Sequence, residues 1–353
     1  MIEGESLTQL RSGAMNSNRP PTLEDVAKAA GVSRATASRV INGVLTVDPR
    51  MQSKVEAAVR STGYIPNTVA RSLVTRKAGA IALVISGSDG SAEQVLGDPF
   101  FGRITSGVIK SLLPQKVHPT LVLADSEAAR ADAVSYVRQG KADGALLVST
   151  HSDDTLPGLF VAAGIPAVLF ARPGQDIPIS YVDLAHERGA ALAADRLVSR
   201  GCRRVVTIAG PSDVPAAQDR LTGFRHAMAR HGQAYIPVAK GNFTRESGEQ
   251  AMTELLAAHP DLDGVFAAND LMAAGALKVL QSHHRTVPDE VAVVGFDDSG
   301  PAHSTRPQLT TVAQPVEEMA AEMARILLAH IEDPTLPPTS VIFDPHLVPR
   351  ESA

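Results

Sequence analysis

The chain has 353 residues, 44% apolar and 20% charged; this is enough for about two domains of roughly 150 residues and excludes wholesale disorder and fibrous or collagen-like chains. One cysteine, Cys202, excludes an intramolecular disulfide framework and a multi-cysteine zinc site, and it fits a reducing compartment. The formal charge of −5 is split: residues 1–77 hold 11 Lys/Arg and 6 Asp/Glu, or +5, and the rest hold 22 and 32, or −10, which fits a small nucleic-acid reader joined to a sensor and equally an uneven surface charge, a choice left to the N-terminal pattern.

Residues 1–19 hold Gly, Ser and Asn, show no periodicity and carry no signal-peptide core. They read as a disordered extension of a cytoplasmic protein, with Met15 as an alternative start. From Thr22 the spacing turns helical. Thr22 is a good N-cap, Asp25 completes a short capping box, and Leu23, Val26, Ala27 and Ala30 share one face. Gly31 ends that helix. Ser33 caps a second over Arg34–Asn42, with Ala37, Val40 and Ile41 inward and Arg34, Ala35, Ser38 and Arg39 outward, and Gly43 ends it. Asp48 caps a third, with Pro49 at its first position, Met51, Val55, Ala58 and Val59 inward and Gly63 at its close.

Two short helices across Gly31-Val32-Ser33 make a helix-turn-helix, whose second helix would enter a DNA major groove. There Arg34 can grip a guanine with its planar fork and Ala35 can touch a methyl group. Ser33, Thr36, Ser38 and Asn42 can reach bases or phosphates. Spacing alone leaves open a plain three-helix bundle with a solvated face. The residues TLEDVAKAAGVSRATASRVING, then GYIPN and VARSL, run without a gap from Thr22 to Leu73 and closely resemble the DNA-binding head of the lactose/galactose repressor (LacI/GalR) family. The resemblance implies that Arg34, Ala35 and Arg39 read bases. It puts Thr22, Ser33, Thr36, Asn42, Tyr64 and Asn67 mostly on the DNA backbone and makes Leu73 the minor-groove lever. Asn67 can cap Thr68–Leu73, but so short a helix is marginal in water and would form only when packed, as on DNA and a symmetry mate. Leu73 could then wedge between base pairs, or else tuck onto the core.

From Gly79 apolar runs (80–85, 120–124, 144–148, 167–170, 205–209, 264–267, 291–296) alternate with helical patterns near 101–113, 127–139, 186–200, 219–231, 246–258, 270–281 and 315–331. The alternation predicts parallel sheets covered on both faces. The number of units predicts two doubly wound lobes, with a ligand in the cleft beyond the strand ends. No apolar run approaches the roughly 20 residues of a membrane span. Nucleotide-binding, metalloprotease and hydrolase signatures are absent from the sequence. Cys202 lacks an evident base, and the histidines lack metal-ligand spacing. Asp297 and Asp298, adjacent on an extended segment, would point to opposite sides and share no proton. No catalytic residue, metal or cofactor is expected.

The stretches DPFFGRITSGV, DLAHERGAALAADRLVSRGCRRVVTIAGP, DRLTGF, GNFTRESGEQAM, AANDLMAAGAL, VVGFDD and LTTVAQP stand in the order of the same family's effector domain, and resemble it. That domain is itself similar to periplasmic sugar-binding proteins. Matched positions imply a pocket of Phe100, Phe101, Arg172, Arg220, Phe243, Asn269 and Asp297. Asp297 accepts hydroxyl hydrogens, Arg220 donates a fork, Asn269 does both, and Phe243 offers a flat face to a sugar ring or a base. Core packing is the alternative for the three phenylalanines, and a surface helix position for Arg220. The chain lacks tryptophan, so Phe243 fills a position that is Trp in some relatives, and Arg172 stands where several have aspartate. Together Arg172 and Arg220 would favour a sugar acid or sugar phosphate, unless Arg172 pairs with a nearby carboxylate.

The expected protein is an all-α helix-turn-helix head (20–65), a hinge (66–78) and an α/β body of two doubly wound parallel-sheet lobes (79–353). It would act as a homodimeric repressor of a pseudo-palindromic operator, controlled by a sugar or sugar derivative. Residues beyond Ala329 lack leucine heptads, so no tetramer coil is expected. A sugar receptor without DNA binding would leave the helix-turn-helix unused. A sugar-modifying enzyme would need a cleft nucleophile, and an activator would differ only in sign.

Overall fold

The computed structural model describes residues 19–42, 47–65, 77–86 and 97–353. Contacts divide the chain into two compact units, Met1–Ala78 and Gly79–Ala353. The first eighteen residues, Gly43 and the hinge positions Asn67 and Leu73 lie outside the described residues.

In the first unit, α1 (Leu23–Ala30), α2 (Arg34–Ile41) and α3 (Pro49–Thr62) start at the expected caps. Thr22 accepts from the Asp25 amide while the Asp25 carboxylate accepts from the Thr22 amide, a full capping box. Ser33 Oγ accepts from the Thr36 amide at 3.1 Å, and Asp48 from the Arg50 amide at 2.7 Å. Gly31 (φ 65°) and Gly63 (φ 66°) end α1 and α3 in the left-handed region, where a side chain would be strained. Val26, Ala27, Ala30, Ala37, Val55 and Ala58 form a small core. Met51, expected inward, is 46% exposed, because the buried stripe of α3 begins one turn later, at Val55.

The second unit runs β1 (Ala80–Ser86), α4 (Pro99–Leu112), β2 (His118–Leu123), α5 (Glu127–Arg138), β3 (Ala145–Ser149), α6 (Leu156–Ala162), β4 (Ala167–Phe170), β5 (Ser180–Leu184), α7 (His186–Ser199), β6 (Val205–Ala209), α8 (Pro215–Arg230), β7 (Val238–Lys240), α9 (Arg245–Ala258), β8 (Gly264–Ala267), α10 (Asp270–Ser282), β9 (Ala292–Asp297), α11 (Gly300–Ser304), β10 (Thr310–Ala313), α12 (Val316–Glu332), β11 (Ser340–Phe343) and β12 (His346–Val348). One sheet has the order β11-β5-β4-β3-β1-β2 and is parallel throughout. The other, β12-β10-β9-β8-β6-β7, is parallel except for β12. These are the two doubly wound lobes read from the sequence.

Strand alternation divides the core. Ile81, Leu83 and Ile85 of β1 face a central cluster with α4 and α12, while Ala82 and Val84 face the cluster under α5 and α6. The central cluster continues through Phe224, Phe266 and Phe296 into the second lobe. Helices close in where glycine leaves room: a Cβ on Gly107 of α4 would lie 2.5 Å from the Glu317 carbonyl oxygen of α12. The chain passes between sheets at Ala185, at Gln314-Pro315 and at Asp344-Pro345. In each sheet the strand order reverses beside the first strand, between β1 and β3 and between β6 and β8, the switch points where such folds take ligands. Among the described residues no helix is long and apolar enough to cross a membrane.

Candidate DNA-binding and effector-binding sites

In the first unit, burying Ala37 turns the opposite side of α2 outward. Ser33, Arg34, Ala35 and Arg39 are exposed there, and Thr36, Ser38 and Asn42 are half-buried beside them. Ser33 Oγ lies 2.9 Å from Thr36 Oγ1, and Asn42 Nδ2 donates to Ser38 Oγ at 3.3 Å, so the small polar groups brace one another. Among the described residues neither Arg34 nor Arg39 meets a carboxylate. Arg34 at the capped start of α2 and Arg39 in its last turn, without carboxylate partners among the described residues, are suited to phosphates and guanine edges. Thr22 is committed to its capping box, and Tyr64 packs on the small core.

In the second unit, the cavity at the switch point is lined from one lobe by Phe100, Ser149, Thr150 and Arg172, and from the other by Ala216 and Arg220. It holds about 260 Å³. Asp98 caps α4 by accepting from the Phe100 amide at 2.9 Å, which sets the Phe100 ring edge-on to Phe101 and Phe170, both 5.3 Å away. Phe101 packs against the core outside the cavity lining, the outcome weighed for at least one of these rings.

Arg220 is the hub. Buried on α8, its guanidinium lies 3.8 Å from the Phe296 ring centroid. It donates to the Ala268 carbonyl at 2.6 Å, to Gln314 Oε1 at 3.0 Å and to His186 Nδ1 at 3.3 Å. His186 can accept because burial lowers its pKa and keeps the ring neutral, with Nε2 facing Asp183 at 3.4 Å. Asp297 Oδ1 stands 3.1 Å from Arg220 Nη1, paired in charge but not aligned as a hydrogen bond. Burial pushes the Asp297 carboxyl up, Arg220 pulls it down, Asp98 raises it and Arg103 lowers it, leaving it at about 6. Asn269 caps α10 by accepting from the Met272 amide and donates to the Phe243 carbonyl at 2.9 Å. Phe243 (φ 66°) and Asp297 (φ 103°) hold left-handed backbones, unusual for side-chain-bearing residues. Thus Phe100, Arg172 and Arg220 line the cavity, while Phe243, Asn269 and Asp297 lie outside its lining at or just past the ends of β7, β8 and β9, with Asp297 paired to Arg220.

Arg172 is 2.6 Å from Asp219 of α8, so it pairs with a carboxylate rather than standing spare for an anion. Beside it, His151 Nδ1 meets Asp213 Oδ2 at 2.6 Å, and the Ser152 amide donates to the Asp213 carbonyl at 3.0 Å. Asp297 and Asp298 do diverge, the second pairing with Arg350 at 2.6 Å. The cause is two successive positive φ values rather than strand alternation. Cys202 is buried with its thiol pushed up to about 11, mainly by desolvation. Sequence reasoning missed Ser149, His151, His186 and Gln314. Only their places at strand ends and crossovers signal them.

Residues 22–67 match the lacI family of bacterial regulatory proteins, and residues 194–353 match the periplasmic binding protein-like domain. The HTH-type transcriptional regulator CelR of Thermobifida fusca is 42% identical over 343 residues, covering 96% of this chain and all of that protein. The chain belongs to the lacI family. The ribose operon repressor of Escherichia coli K12, 31% identical over 94% of this chain and 99% of its own, agrees. A structure of a CelR–cellobiose complex superposes with a TM-score of 0.73 at 41% identity, covering 94% of this chain and all of that one. The Lac repressor dimer bound to operator and an anti-inducer gives 0.81 at 25%, covering 95% and 99%. As a lacI-family member the chain is a DNA-binding transcriptional regulator, and its relatives are regulators rather than enzymes.

Proposed function

We propose that this regulator is a homodimeric repressor whose effector is a neutral sugar of the cellobiose class, bound between the lobes. The observation that carries the choice of a neutral ligand is charge balance. The cationic groups at the cavity already have carboxylate partners, Arg172 with Asp219 and Arg220 with Asp297. A sugar acid or phosphate would have to break one of those pairs. A neutral polyol can use them as they stand, with hydroxyls accepting from the arginines and pairing with the lining groups of Ser149, Thr150 and Gln314. The likeness to CelR, solved with cellobiose, supports the same class. Arg34, Ala35 and Arg39 would read bases and Ser33, Thr36, Ser38 and Asn42 the neighbouring backbone, with Thr22, Tyr64 and Asn67. Residues 66–78 would order on the operator, with Leu73 as a wedge, and a change in lobe angle would favour or disfavour that order. No catalytic step is assigned to the cleft, and the cytoplasm is the proposed site of action.

Calorimetric titration with cellobiose, ribose, gluconate and glucose 6-phosphate tests the effector class. Cellobiose is expected to bind at least tenfold more tightly than either anion, a gap of about 1.4 kcal/mol. Tighter binding of gluconate or glucose 6-phosphate would overturn the reading.

A further inference from the structure

Arg103 lies on α4 of the first lobe, in the DPFFGRITSGV stretch, yet it is not part of the cavity lining. Four of its five N–H donors are engaged. Nε and Nη2 donate to the two carboxylate oxygens of Glu317 at 2.9 and 2.8 Å. Nη1 donates to the Asp297 carbonyl at 2.8 Å, and Nη2 also to the Gln314 carbonyl at 2.9 Å. Arg220 holds the same two residues by their side chains: Asp297 Oδ1 at 3.1 Å and Gln314 Oε1 at 3.0 Å. Asp297 and Gln314 are therefore each gripped twice, by backbone from one lobe and by side chain from the other. Asp297 needs the grip, because its φ of 103° is one that residues with a side chain rarely adopt. Gln314 needs it because it is a crossover residue between β10 and α12.

We infer that Arg103 is a positioning residue of the effector site, fixing the backbone at Asp297 and Gln314 so that their side chains meet Arg220 at the cavity. The inference rests on the effector reading above for the choice of sugar probe. A purely structural role would instead lie in the Glu317 ion pair, whose carboxylate side is 39% exposed. Charge and geometry separate in the variants. Lysine keeps the charge but loses the fork, and Glu317→Gln weakens the ion pair while leaving the two carbonyl contacts in place.

The test uses the full-length chain with Arg103→Met, Arg103→Lys and Glu317→Gln. Cellobiose affinity is read by calorimetry, and backbone protection around 295–299 and 312–317 by hydrogen exchange without ligand. Both Arg103 variants are expected to lose at least tenfold in affinity and to lose protection in those two segments. Glu317→Gln should stay within about twofold of the unaltered chain, even if its melting temperature falls. Equal losses in all three variants, or unchanged affinity in Arg103→Met, would overturn the inference. If the unaltered chain does not bind cellobiose, the effector reading fails instead. Hydrogen exchange then decides: unchanged protection at Asp297 and Gln314 in Arg103→Met overturns the positioning role, and lost protection there supports it.

Discussion

Asp297 carries the most testable chemistry. Buried beside Arg220, Arg103, Asp98 and Asp270, it titrates at about 6, above its usual 3.8. Its ionised form pairs with Arg220, which lines the cavity, so effector affinity is expected to rise with pH through about 6 and level off above it. Asp297→Asn should flatten that profile, and a dissociation constant independent of pH in the unaltered chain would contradict the assignment. The effect on stability has the opposite sign. Asp297, at about 6, and Asp270, pushed by desolvation and by Asp297 to about 8, both hold their protons more tightly folded than unfolded. Their contribution is present at low pH and is lost as pH rises from the usual 3.8 through those values. Asp270→Asn should therefore shrink the fall in melting temperature between about pH 6 and 8. At this scale Asn269 and Asp297 could be singled out from the sequence, because a polar residue ending an apolar strand has few structural reasons to be there, whereas Arg220, on helix α8, was implied only by the family resemblance. Arg103, His186 and Gln314 were not singled out. Their roles depend on partners 34 to 214 positions away in sequence, which no local spacing encodes.

At the scale of elements, α2 is a capped helix whose two faces are set by Ala37 within and by Arg34 and Arg39 outside. Arg34→Ala is expected to cost about 1–3 kcal/mol of affinity for a selected operator and to relax preference at one position per half-site. Fluorescence anisotropy on selected and random DNA checks this; an equal loss on both would make Arg34 a phosphate contact. Gly107 is where α4 and α12 touch. Gly107→Ala should lower stability by about 1–3 kcal/mol through overpacking, read by thermal unfolding, because the Glu317 carbonyl cannot withdraw without moving α12. The helices of the head were legible in their caps. So were the long apolar strands such as β1 and β9. β5, β7, β10, β11 and β12 were not expected as strands: they have 3 to 5 residues, several are partly polar, and such runs are too short to show a period. The short helices α6 and α11 escaped for the same reason.

For the molecule as a whole, alternation of strands and helices was enough to read two doubly wound lobes. It could not show which sheet the last two strands join, because β11 and β12 pair with strands far back in sequence: β5 in one lobe and β10 in the other. The returning chain creates the crossovers at Gln314-Pro315 and Asp344-Pro345, and the first of them meets Arg220. The cavity and a crossover thus share one residue, which gives a bound sugar a physical route to the angle between lobes. On this reading, sugar occupancy controls DNA binding. That control is tested most directly by titrating the full-length protein onto a fluorescent operator, recovered by selection from random DNA, with and without saturating cellobiose. The sugar is expected to change operator affinity by at least about fivefold, in the range typical of linked sites. Cellobiose that binds the protein yet leaves operator affinity unchanged would contradict it.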